Sequence, residues 1–166
     1  MTPQEIARKV GETMFPVDVA SKDTMGMELL VCEPGRAVLR MEVKELHLNG
    51  HKICHGGFIF TLADSTFAFA CNSHNKVTVA NNCAITFVSA AKEGDVLTAS
   101  AVEVHRQIMF LGAGSNRNDI GLRKNRAART VVRVFDLHQR GGGKDREVAR
   151  LGGRAQVIGA EAAALP

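Results

Sequence analysis

The sequence predicts an α+β fold: an antiparallel sheet wrapped around one long central helix. Two observations carry this. Residues 58–72 form a helix-length apolar run that holds a single charged residue, Asp64. A helix apolar on all sides is normally buried on all sides. Around that run lie several segments with the alternation of half-buried strands. At 166 residues with 45% hydrophobic content, the chain is long enough to bury a real core as one domain.

The elements follow in order. Thr2-Pro3-Gln4-Glu5 reads as a helix start, with Thr as cap, Pro at the first position and Glu three residues on. The helix runs over residues 3–14, with Ile6, Val10 and Met14 on one face. Asp18 to Lys22 adds a turn before Gly26. Met27 to Cys32 and Ala37 to Val43 read as two strands joined at Pro34-Gly35, a sound hairpin turn. Residues 46–57 are a polar connection, and Phe58 to Asn72 is the buried helix. Val77 to Ala90 contains a strand with Ile85, Phe87 and Cys83 on one face. Lys92-Glu93-Gly94-Asp95 is a turn. In Val96 to His105, Leu97, Ala99 and Ala101 alternate with Thr98, Ser100 and Val102, which is strand periodicity.

After Arg106 the composition changes. Residues 1–105 carry nine basic against twelve acidic residues, net −3, whereas residues 106–166 carry twelve against five, net +7. Gly112 to Arg129 is rich in Gly, Asn and Arg without a clear period. Thr130 to His138 is the one arguable strand. Gly141-Gly142-Gly143 and Gly152-Gly153 read as breakers, so Arg140 to Pro166 is expected to be largely irregular. The division is therefore a core over 1–106 and an atypical basic part over 107–166, with at most one or two strands. A frame-shifted end, favoured by the abrupt change, competes with a divergent extension and with a disordered basic arm.

The chemistry concentrates in Asn49-Gly50-His51-Lys52-Ile53-Cys54-His55-Gly56-Gly57, which runs directly into the apolar helix. A carboxylate inside such a helix is costly unless it is bonded, paired or wet. The Gly pair stands where a helix's first unpaired N–H groups point outward. One segment thus offers an oxyanion-binding element, Gly56, and a candidate base, Asp64. Eight residues separate them, roughly 12 Å of helix rise. One carbonyl cannot touch both, so a catalytic site would need an antiparallel second copy of the helix across a two-fold dimer interface.

The Asn49…His55-Gly56-Gly57…Asp64 pattern, with Leu62-Ala63-Asp64 and Ala68-Phe69-Ala70-Cys71-Asn72-Ser73, resembles the hotdog-fold acyl-CoA thioesterases. It looks most like the branch that serves phenylacetic acid degradation. The likeness covers about residues 2–106. It implies the hotdog fold and hydrolysis of an aryl-acetyl or similar acyl-CoA to free acid and coenzyme A. It also implies the N–H of Gly56 for the oxyanion, Asp64 as base or nucleophile, Asn49 orienting water, and no metal or other cofactor. A homodimer with shared active sites, assembled further to a tetramer, is the implied state. His55 either orients the substrate carbonyl or braces the turn. Gly57, Asn81 and Asn82 are candidate substrate-binding residues, and the two Asn are equally readable as plain edge residues. Ser65 and Thr66 are expected to bond to the helix backbone.

Other classes fit less well. His47, His51, Cys54 and His55 suggest zinc, but the spacing of His47 and His51 helps only on a helix, which Asn49-Gly50 disfavours. Arg123, Lys124, Arg126 and Arg129 either contact coenzyme A phosphates or form a solvated charge run. Residues 1–105 show no P-loop, no Gly-rich dinucleotide motif and no basic–aromatic interleaving for nucleic acid. The four Cys form no CxxC and no secreted-type framework, which predicts reduced, buried thiols. No basic head precedes an apolar stretch, and no run nears the ~20 residues that span a bilayer. A soluble, cytoplasmic chain without membrane partners is expected. Two other functions use the same fold: a non-catalytic acyl-CoA or acyl-carrier-protein binding module, and a dehydratase of hydroxyacyl thioesters.

Overall fold

The computed structural model describes residues 1–108, 128–141 and 144–157. Helix α1 (Pro3–Met14) starts with the expected capping box: Glu5 N–H donates to Thr2 Oγ1 at 3.2 Å, and Thr2 N–H donates to Glu5 Oε2 at 2.7 Å. Its buried face centres on Ala7, Val10 and Gly11, with Ile6 and Met14 half-buried at the borders. A 3-10 turn (Phe15–Val17) and a π turn (Val19–Thr24) lead to β1 (Glu28–Glu33). The hairpin to β2 (Arg36–Glu42) turns at Gly35, whose φ of +70° suits a residue without Cβ.

Helix α2 (Gly56–Asn72) follows the polar connection, and then come β3 (Thr78–Phe87) and β4 (Val96–Ile108). β5 (Ala128–Gly141) and β6 (Lys144–Val157) complete a six-stranded antiparallel sheet of order β1-β2-β4-β5-β6-β3. The sheet wraps α2, and its inward residues bury Leu62, Ala63 and Phe67 of the helix against Leu39, Met41, Leu97 and Ala99. This is the hotdog fold. Full burial of each large apolar side chain contributes about 1.5–3 kcal/mol, so one apolar helix can organise the whole sheet.

Cys83, Ile85 and Phe87 share the face of β3 toward α2 as expected: the first two are half-buried, and Phe87, 52% exposed at the strand's end, meets the start of the helix. One reading of the sequence is corrected. The stretch from Arg140 on is not largely irregular, because β6 occupies Lys144–Val157. Its Gly152 and Gly153 sit opposite Arg133 and Val132 of β5 on one side, and opposite Ala84 and Cys83 of β3 on the other. Pairing on both flanks outweighs the weak intrinsic strand preference of glycine. Val148, Leu151 and Ala155 then bring β6 into the core. β5 extends the Thr130–His138 strand at both ends, so Ala128 and Arg129 are strand residues. The rest of the Gly112–Arg129 stretch lies outside the described residues, as do Arg123, Lys124 and Arg126.

Candidate active site

The connection between β2 and α2 is held by its own backbone. A 3-10 turn (Glu45–His47) leads to Asn49, which organises a tight turn. Asn49 Oδ1 accepts from His51 N–H at 2.9 Å and from Ile53 N–H at 3.4 Å. Asn49 N–H donates to the Ile53 carbonyl, and the Asn49 carbonyl accepts from Lys52 N–H, both at 2.9 Å. Cys54 N–H is tied to the Ala91 carbonyl and His55 N–H to the His47 carbonyl, each at 2.8 Å. The start of α2 is thus anchored from two sides.

His55 is the N-cap. Its Nδ1 accepts from Gly57 N–H at 2.9 Å, so the neutral ring carries its proton on Nε2. The His55 carbonyl takes Phe58 N–H at 3.0 Å and Ile59 N–H at 3.4 Å. Of the amides at this helix start, Gly57, Phe58 and Ile59 are therefore occupied. The N–H of Gly56 makes no hydrogen bond among the described residues. It points where the helix end favours negative charge. A Cβ on Gly56 would stand 3.0 Å from Phe87 Cζ, so this position admits only glycine without displacing the ring.

Asp64 lies eight residues along α2 and is half-buried. Burial pushes its carboxyl above the ordinary range. Among the described residues no cation pairs with it. Its one hydrogen-bonding neighbour there is the Cys83 thiol, with Sγ 4.0 Å from Oδ1. Burial and the nearby Asp64 charge push that thiol's pKa up, so it stays protonated and can donate. A single chain does not bring Gly56 and Asp64 together, because about 12 Å of helix separates them.

The remaining candidates are dispersed. Asn81 and Asn82 are exposed on β3, with Asn81 in a bulge between paired Ala80 and Asn82; neither side chain is hydrogen-bonded among the described residues. His47 is fully buried against Phe58, its Nδ1 accepting from Lys44 N–H at 3.0 Å, while His51 and His55 are exposed. Among the described residues no three His, Cys, Asp or Glu side chains are grouped to hold a metal ion. Cys54 and Cys71 are buried, Cys32 and Cys83 half-buried, and all four thiols are free.

Three contacts escaped the sequence reading. Thr66 bonds the Leu62 carbonyl as expected, at 2.6 Å, but Ser65 instead meets Ser21 Oγ at 2.8 Å, and Ser21 is held by both Asp18 carboxylate oxygens. That network ties the π turn to the helix beside Asp64, and no local pattern announces a contact 44 residues apart. Alternation puts Cys83, Ile85 and Phe87 on one face, but that Cys83 meets Asp64 and Phe87 meets Gly56 shows only in the structure.

The fold and this helix start define a class, and the comparisons agree. The thioesterase superfamily model matches residues 51–113, which contain both Gly56 and Asp64. Acyl-coenzyme A thioesterase PaaI of Escherichia coli is 42% identical over 93 residues, 56% of this chain and 66% of that protein. The chain thus spans just under two thirds of that relative's length. Mouse acyl-coenzyme A thioesterase 13 is 31% identical over 107 residues, 62% of this chain and 76% of that protein. The solved structure of the Escherichia coli PaaI protein, from its phenylacetic acid degradation operon, superposes with a TM-score of 0.73 at 29% identity, over 96% of this chain and 99% of that one. This chain belongs to the hotdog-fold acyl-CoA thioesterase family.

Proposed function

We propose that the protein hydrolyses an aryl-acetyl or similar acyl-CoA to the free acid and coenzyme A. The observation that carries this is one helix whose Gly56 N–H has no acceptor, and whose desolvated Asp64 carboxylate has no cationic partner, among the described residues. The thioester oxygen gains negative charge when its carbon is attacked, and a fixed N–H aimed at that oxygen lowers the barrier. Asp64 either takes a proton from the attacking water or attacks the acyl carbon itself; both need the ionised form. Asn49 orients the water with its amide, whose Oδ1 is already fixed by the turn. His55 braces the turn through Nδ1 and keeps an exposed Nε2–H for the substrate carbonyl. Gly57 keeps the helix start open, and Asn81 and Asn82 line the approach.

The site is completed by a second copy of the chain. An antiparallel α2 brings the partner's Asp64 beside Gly56. β3 supports such pairing: it is an edge strand whose Val79 and the adjoining Val88 are 44% and 53% exposed. A strand edge pairing with its own copy makes a two-fold interface, and two such dimers give the tetramer. We place the protein in the cytoplasm on its four free thiols; among the described residues no helix is long and apolar enough to cross a membrane.

A thiol-release assay over an acyl-CoA panel, with product analysis, tests the activity. Equimolar coenzyme A and free acid are expected, with phenylacetyl-CoA among the best substrates. Binding without release would favour the non-catalytic module, and an enoyl product from a hydroxyacyl thioester would favour a dehydratase.

A further inference from the structure

Phe87 occupies an unusual place for a large apolar side chain. It closes β3, opposite Ala149 of β6, and the next residue is pinned by Val88 N–H donating to the Val148 carbonyl at 2.8 Å. The backbone there is fixed, yet the residue is 52% exposed. It points tip-first at the start of α2: Cζ, Cε1 and Cε2 stand 3.0, 3.3 and 3.5 Å from where a Gly56 Cβ would be. The ring therefore touches the residue whose N–H is free, and leaves the rest of its apolar surface open.

The reach of a bound thioester follows from ordinary geometry. An oxygen seated on an N–H stands about 2.7–3.1 Å from the nitrogen, and its carbon lies ~1.2 Å further. The groups on that carbon fall within van der Waals reach of anything packed on Gly56. The coenzyme A arm is polar and leads to solvent; the acyl group is apolar and gains from an aromatic wall. Aromatic pairs prefer edge-to-face contact, which a tip-first, half-open ring offers.

We propose that Phe87 selects the acyl group: its ring forms the apolar wall beside a carbonyl seated on Gly56 and favours flat aryl-acetyl groups over short linear ones. This rests on the thioesterase reading of the site.

The test compares phenylacetyl-CoA with butyryl-CoA in the full-length wild type, Phe87→Ala and Phe87→Leu. Two readouts are taken: kcat/KM for the thioesters, and binding of the matching non-hydrolysable ketones, with a methylene between sulfur and carbonyl. Thermal melting confirms that the variants fold. Phe87→Ala should lower the phenylacetyl-to-butyryl preference about 10-fold in both readouts, the usual scale for one pocket contact. Phe87→Leu, which keeps bulk without a ring, should fall between. An equal loss on both acyl groups, or no change, would overturn the proposal. If the wild type binds the ketones with a Phe87-dependent preference yet releases no thiol, hydrolysis is the reading that fails and Phe87 stands.

Discussion

The start of α2 and strand β6 make opposite use of glycine. At Gly56 the missing side chain leaves room for the Phe87 ring, which stands where a Cβ would be, and the proposed role needs that backbone open to a ligand. At Gly152 a Cβ would meet nothing within 4 Å, and the strand through Gly152 and Gly153 forms because β3 and β5 pair with it on both sides. The first glycine sits in a local pattern, between a capping His and an apolar helix. The second pair is specified by partners far away in the chain. A glycine in a sequence is therefore legible when its reason is local and misleading when its reason is tertiary.

This difference explains what the sequence revealed. The capping box of α1, the Pro34-Gly35 hairpin, the alternation of Leu97, Ala99 and Ala101, and the apolar α2 all show as local sequence patterns, and all stand in the structure. The hydrogen bonds of the Asn49 turn and the His55 cap are local too, but the sequence offers Asn49 only as orienting water and His55 as orienting the carbonyl or bracing the turn. β6 was unreadable because the adjacent Val148 and Ala149 are both buried beside the bulges between β5 and β6, and Gly152-Gly153 interrupts the apolar pattern between Leu151 and Ala155. Ser65 bonding Ser21, and Phe87 turning onto Gly56, depend on how separate elements meet.

The largest effect is expected at Asp64. Asp64→Asn keeps the shape and removes the charge, so turnover of the preferred thioester should fall by roughly 10² or more, with an unchanged melting temperature or a higher one. A higher one follows from the sign of the shift. Burial raises the folded carboxyl above its unfolded value, so at neutral pH the charged form costs stability and the neutral amide does not. For the same reason the wild-type rate should fall on an acid limb centred above the ordinary Asp value. A variant as active as wild type, or a limb at the ordinary value, would remove Asp64 from the chemistry.

The smaller effect is expected at β6. Leu151 is 3% exposed and faces the core between Ile85 and Val134. Leu151→Ala should cost about 2–5 kcal/mol, read as a lower denaturant midpoint of a single transition that includes α2. A change below about 0.5 kcal/mol, the range of ordinary surface substitutions, would mean that β6 is no part of the folded core and that the sheet's far flank is misassigned.

The central claim is that Gly56 of one chain works with Asp64 of another. Asp64→Asn and Gly56→Val chains, each inactive alone, are mixed under conditions where mass spectrometry shows subunit exchange. Random pairing makes half the dimers mixed, and each of these holds one intact site of two. Thiol release from phenylacetyl-CoA should then return to about a quarter of the wild-type rate, as two-fold symmetry requires. Complete exchange with no recovered activity would contradict it.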